Sequence, residues 1–169
     1  AGARASQARL GDDGATATAA GRGRVSSLLE QAAQARERGD LLTPPGESAF
    51  DKIAAARALA PRDAGVRRAA EELLPAARRC FENALRENRL IAAGACLEAR
   101  EALGEERDTA LAARRRLAQR WLAVGEERLG ASEISAAQRA LDQARALDPD
   151  TDGLAAFSQR VEAASAALD

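Results

Sequence analysis

The chain has 169 residues, of which 46% are hydrophobic but only 2% aromatic, and its formal net charge is −1. Its length suits one domain of ordinary size, and its small apolar side chains argue against a β-sandwich or barrel core. A charge near zero gives no general attraction to nucleic acid or an acidic membrane. No stretch is long and apolar enough to span a bilayer, and no signal peptide is visible. The chain has no Met, as expected of an excised domain or a processed product. Ala, Leu, Arg, Glu and Gln dominate and favour helix, whereas runs of strand-forming residues are absent. The predicted fold class is all-α.

In chain order, residues 1–22 carry Gly2, Gly11, Gly14 and Gly21 with little apolar periodicity, and read as a flexible linker or stalk. Helical periodicity starts at Val25 and runs through Leu28, Leu29, Ala32 and Ala35 to a stop at Gly39-Asp40. Pro44-Pro45 excludes helix interior. A second helix is expected over about 47–60, stopped by Pro61, with Asp63 placed to cap the next. The third covers about 64–88, with a kink or break expected at Pro75. A fourth follows over about 90–103, a fifth over 108–129, a sixth from a Ser132 cap to Leu147, and a last over 152–167.

The second helices align without gaps. Ala49, Ala93 and Ala137 form one column; Ile53, Leu97 and Leu141 another; and Leu59, Leu103 and Leu147 a third, all at a spacing of 44 residues. Pro61 and Pro149 stand at matching stops, with Glu105 between them. The expected domain therefore spans 23–169, with repeats over about 24–61, 63–105 and 107–149 and a capping helix over 151–168.

The third repeat resembles the tetratricopeptide repeat (TPR). Trp121, Val124, Gly125 and Arg128 follow the spacing of that family's first helix, and Ala137, Leu141, Ala144 and Pro149 follow its second. The other two are looser: Arg100 replaces the motif's second Ala in the middle repeat, and about five extra residues surround Pro44-Pro45 in the first. The usual period is about 34 residues, so the extra length is expected in the first helices. The resemblance implies a right-handed α-solenoid of three hairpins whose first helices line a concave groove. In this register the groove carries Leu29 and Arg36, then Arg78, Glu82 and Leu85, then Gln119, Leu122, Glu126 and Leu129. Its expected ligand is a protein or peptide with apolar anchors.

A narrower resemblance lies in Leu41-Leu42-Thr43-Pro44-Pro45-Gly46-Glu47-Ser48-Ala49 followed by Ala58-Leu59-Ala60-Pro61. It is similar to repeats of envelope proteins from GC-rich proteobacteria, carried on transmembrane serine/threonine kinases and related signalling proteins. It implies a periplasmic location, with a cytoplasmic one as the alternative. Cys80 and Cys96 each lie eight residues from Asn88, level on two antiparallel helices. They are either a disulfide or two buried thiols, and the envelope resemblance favours the bridge.

Chemistry is sparse. With no His and only two Cys, a Ser-His-Asp triad and a structural zinc site are ruled out. No catalytic residue, metal or cofactor is expected. The run Arg114-Arg115-Arg116 reads as a solvated helix face, so no nucleic-acid partner is expected either. The expected function is a protein-interaction scaffold or sensor domain that forms the extracytoplasmic part of a membrane-associated signalling or envelope protein; the alternative is a structural spacer or homodimerisation module.

Overall fold

A computed structural model describes the backbone of residues 3–167 and the side chains of residues 18–167. Every regular element among these residues is an α-helix: α1 (Ala3–Arg38), α2 (Ala49–Leu59), α3 (Ala64–Arg86), α4 (Leu90–Ala102), α5 (Arg107–Gly130), α6 (Ile134–Leu147) and α7 (Leu154–Ala166). They form two compact units. One is built on α1, α2 and the first part of α3, the other on the rest of α3 with α4 to α7.

Three expectations change: the flexible lead, the break at Pro75 and the cap at Ser132. Helix α1 begins at Ala3, so most of the segment expected as a flexible lead is helical. Its glycines cost about 1 kcal/mol each in helix, and the intervening Ala, Arg and Gln are among the best helix formers. Helix α3 continues unbroken through Pro75. Pro75 is exposed, so the Glu71 carbonyl that loses its helical donor lies on a helix face open to water.

The ends of the helices are set by a few residues. Gly39 (φ 83°) ends α1, where the Asp40 N–H donates to the Ala35 carbonyl (2.9 Å). Ser48 caps α2 through a reciprocal box with Asp51: the Asp51 N–H donates to Ser48 Oγ (3.1 Å), and the Ser48 N–H to Asp51 Oδ2 (3.3 Å). Asp63 caps α3, accepting from the Val66 N–H at 2.9 Å. Ser132 does not cap α6. It adopts φ 64°, as Asn88 adopts φ 57° in the preceding hairpin, and the two stand one repeat apart. In that left-handed position the backbone of Ser132 closes α5, its N–H donating to the Leu129 carbonyl (3.0 Å).

The repeat columns fall in the core. Ala49, Ala93 and Ala137 are fully buried, as are Ile53, Leu97 and Leu141. The register extends into α7: Val66, Ala110 and Leu154 form one buried column of the first helices, and Leu73, Leu117 and Val161 another. Each fully buried Leu, Ile or Val stabilises the fold by roughly 1.5–3 kcal/mol.

The second unit has two hydrophobic clusters. Phe81, Leu85, Leu90, Leu97 and Leu117 centre the first, and Leu141, Leu154, Phe157 and Val161 the second. Trp121 packs against both. Their aromatic rings are placed in opposite senses. In the first cluster Phe81 of α3 shares a core with Ala113 of α5. One repeat later the small residue is Gly125 of α5 and the ring is Phe157 of α7, whose edge would lie 2.8 Å from a Cβ at position 125.

Candidate functional site

Within each unit, charged residues join one first helix to the next. In the first unit Arg36 of α1 donates to Glu72 of α3 at 2.7 Å. In the second, Arg116 of α5 makes a two-pronged pair with Glu82 of α3 (2.6 and 2.9 Å). Arg160 of α7 donates to Glu126 of α5. The last two pairs each join residues 34 positions apart and occupy the same repeat columns. Hydrogen bonding to Arg116 lowers the Glu82 pKa, opposed by burial.

Nine residues were expected to line a ligand groove on the first helices. Arg36, Glu82 and Glu126 are held in the pairs just described. Leu85 is only 5% exposed and belongs to the core, because the stripe of α3 turns inward at its last turn. Leu29, Leu122 and Leu129 are half-buried against neighbouring cores. Gln119 is exposed beside Asp148, Asp150 and Asp152.

The ninth, Arg78, belongs to a clamp that the sequence did not reveal. Glu105 has a side chain with 0% exposure. It accepts two hydrogen bonds from Arg78 (2.9 and 2.6 Å) and one from Arg100 Nε (3.0 Å). Arg100 is itself only 5% exposed and lies with its guanidinium carbon 5.1 Å from the centre of the Phe81 ring. The Arg78 bonds, opposed by burial and reinforced by Arg100, hold the Glu105 carboxyl at a pKa of about 2. Residues 100 and 105 are the two columns where the middle repeat departs from its neighbours. There Ala gives way to Arg and Pro to Glu, and the two departures satisfy each other. Next in sequence, Glu106 caps α5 by accepting from the Asp108 and Thr109 N–H groups (3.1 and 3.0 Å).

Cys80 of α3 and Cys96 of α4 are joined by a disulfide, with Cα atoms 5.7 Å apart. The bridge fixes the two helices of the middle hairpin.

A concavity of the second unit lies over α5, between α4 and α6. It has two continuous lobes of about 460 and 410 Å³ that share Ile91, Trp121 and Gln143. Helix α5 forms the floor with Leu117, Trp121 and Val124. Ile91, on the rim, is 71% exposed. It sits one position off the buried stripe of Leu90, Ala93 and Leu97, so an apolar residue in the sequence marks the open rim and not the core.

Among the described residues no cluster of His, Cys, Asp or Glu is suited to hold a metal, and no helix is long and apolar enough to cross a membrane. No protein-family model, curated protein or solved structure matches the chain.

Proposed function

We propose that the chain is a TPR-like right-handed α-solenoid that serves as a non-catalytic protein-interaction module on the extracytoplasmic side of a membrane-associated signalling or envelope protein. The observation that carries the reading is the recurrence of one contact pair at the repeat spacing: Glu82–Arg116 between α3 and α5, then Glu126–Arg160 between α5 and α7. Contacts that recur in register are what stacked helical repeats produce, and such stacks present extended surfaces for partners. The Cys80–Cys96 bridge supports the location, because disulfides persist in oxidising compartments and are rare in the cytosol.

Two measurements test this. The protein is isolated from the cells that make it and alkylated without reductant; bridged cysteines are expected, and two alkylated thiols would refute the extracytoplasmic location. A photo-crosslinking residue is then placed at exposed positions around the chain in living cells. Adducts confined to one face are expected, and no adduct from any position would refute the interaction role.

A further inference from the structure

The groove between α4 and α6 is apolar, open and continuous, and its chemistry selects among ligands. Its walls are helices whose backbone groups are already paired within them. An extended peptide would find no ladder of donors and acceptors there, and would bury unsatisfied backbone groups of its own. A helix brings its backbone bonds with it. The walls also carry small residues: Gly94 and Ala95 of α4 line one lobe, and Ala136 and Ala140 of α6 line the other. From Arg114 to Arg128 the floor helix rises about 21 Å, or about four turns of a docked helix.

The two ends carry opposite charge. At one, Glu98 and Glu101 outnumber Arg114, which Glu101 binds in a two-pronged pair. At the other, Arg128 and Arg139 outnumber Glu133. The first end is therefore net negative and the second net positive. A helix dipole is positive at its N-terminus and negative at its C-terminus. The favoured direction puts the N-terminus at Glu98 and Glu101, so a docked helix runs parallel to α5 and antiparallel to both walls.

We propose that this groove docks an amphipathic helix of a protein partner, with its apolar face on Trp121 and Ile91, a basic first turn at Glu98 and Glu101, and an acidic last turn at Arg128 and Arg139. The proposal rests on the interaction role proposed above and names the surface and the chemistry of its ligand.

The test uses two helical peptides of about four turns, stapled on their polar faces, with Leu at i, i+4, i+7 and i+11. One has two Lys in its first turn and two Glu in its last; the other exchanges them. Trp121 is the only Trp in the chain and reports from the floor of the groove. Saturable binding of the first peptide with a blue shift of Trp121 emission is expected. At least about tenfold weaker binding is expected for the second, and for the first against Ile91→Asp, a difference of about 1.4 kcal/mol. Leu59→Asp, at an exposed apolar residue of α2, should leave the affinity unchanged. Circular dichroism checks that each variant is folded. Equal binding of the two peptides, binding insensitive to Ile91→Asp, or binding of neither overturns the proposal. So does a concentration-dependent dimer that Ile91→Asp dissolves, since the occupant would then be a second copy. The in-cell crosslinks keep the two failures apart: adducts on another face with no peptide binding would sink the groove and leave the interaction role standing.

Discussion

Replacing Glu105 by Gln keeps the shape of the side chain and removes its charge from a position with 0% exposure. Two guanidinium groups lose their anion, and one of them, on Arg100, is only 5% exposed. The carboxyl is held at a pKa of about 2 against an ordinary 4.5, chiefly by Arg78. At about 1.4 kcal/mol per unit, the ionised form is favoured in the folded state by about 3 kcal/mol. Since the folded-state value is depressed, that contribution is complete above about pH 4.5 and is lost as the pH falls to about 2. Urea unfolding of wild type and Glu105→Gln at pH 7 and pH 3 measures it. The variant should lose about 3 kcal/mol at pH 7, at the lower edge of what breaking a buried pair costs. It should also be less sensitive to acid than wild type over this range. A double variant with Arg100→Ala should be less destabilised than the two single losses added, by about 1 kcal/mol or more. A loss below about 0.5 kcal/mol at pH 7, the range of an ordinary surface substitution, together with equal acid sensitivity, would refute the clamp.

Cys80→Ser/Cys96→Ser should lower stability by about 3 kcal/mol, the expectation for a loop of this size; unfolding of wild type with and without reductant should show the same difference. Gly125→Ala gains about 1 kcal/mol of helix propensity but drives a Cβ to 2.8 Å from the Phe157 ring, so it should destabilise by about 2 kcal/mol net, and by less in a Phe157→Leu background. Gly94→Ala meets nothing within 4 Å and should stabilise by about 0.5–1 kcal/mol; a melting temperature below wild type would show that the open space is misplaced. Pro75→Ala restores a helical donor to the Glu71 carbonyl and should stabilise by about 1–3 kcal/mol, measured by urea midpoint.

The helices were legible because their signals are local. Apolar stripes at helical spacing, prolines at 61 and 149, and glycines at 39 and 104 bound them to within a few residues. Two boundaries depart from the local signal where a residue type has two uses. Ser132 is a good cap by type, but in its turn it takes the left-handed position that Asn88 takes one repeat earlier. In the lead, the helix-forming alanines outweigh the glycines between them, and the segment is helical. The clamp was illegible for another reason: Arg78 and Glu105 are 27 residues apart, and only the folded chain shows that the odd Arg at 100 and the odd Glu at 105 meet. The groove between α4 and α6 has no periodic signature in the sequence, since its exposed rim residue Ile91 lies one position off the buried stripe of α4. On the first helices, charges pair across neighbouring helices and Leu85 turns into the core, so little is left open to a ligand.

The three ion-pair rungs differ in polarity. Arg precedes Glu in Arg36–Glu72, whereas Glu precedes Arg in Glu82–Arg116 and Glu126–Arg160. Similar helices in tandem risk docking out of order during folding or swapping between chains. Two wrong pairings of first helices would meet a penalty here. Were α1 to take the place of α3 against α5, Arg36 would face Arg116. Were α3 to take the place of α5 against α7, Phe81 would meet Phe157 where Gly125 belongs. Charge sense at one boundary and ring placement at the next thus distinguish helices whose apolar stripes are alike.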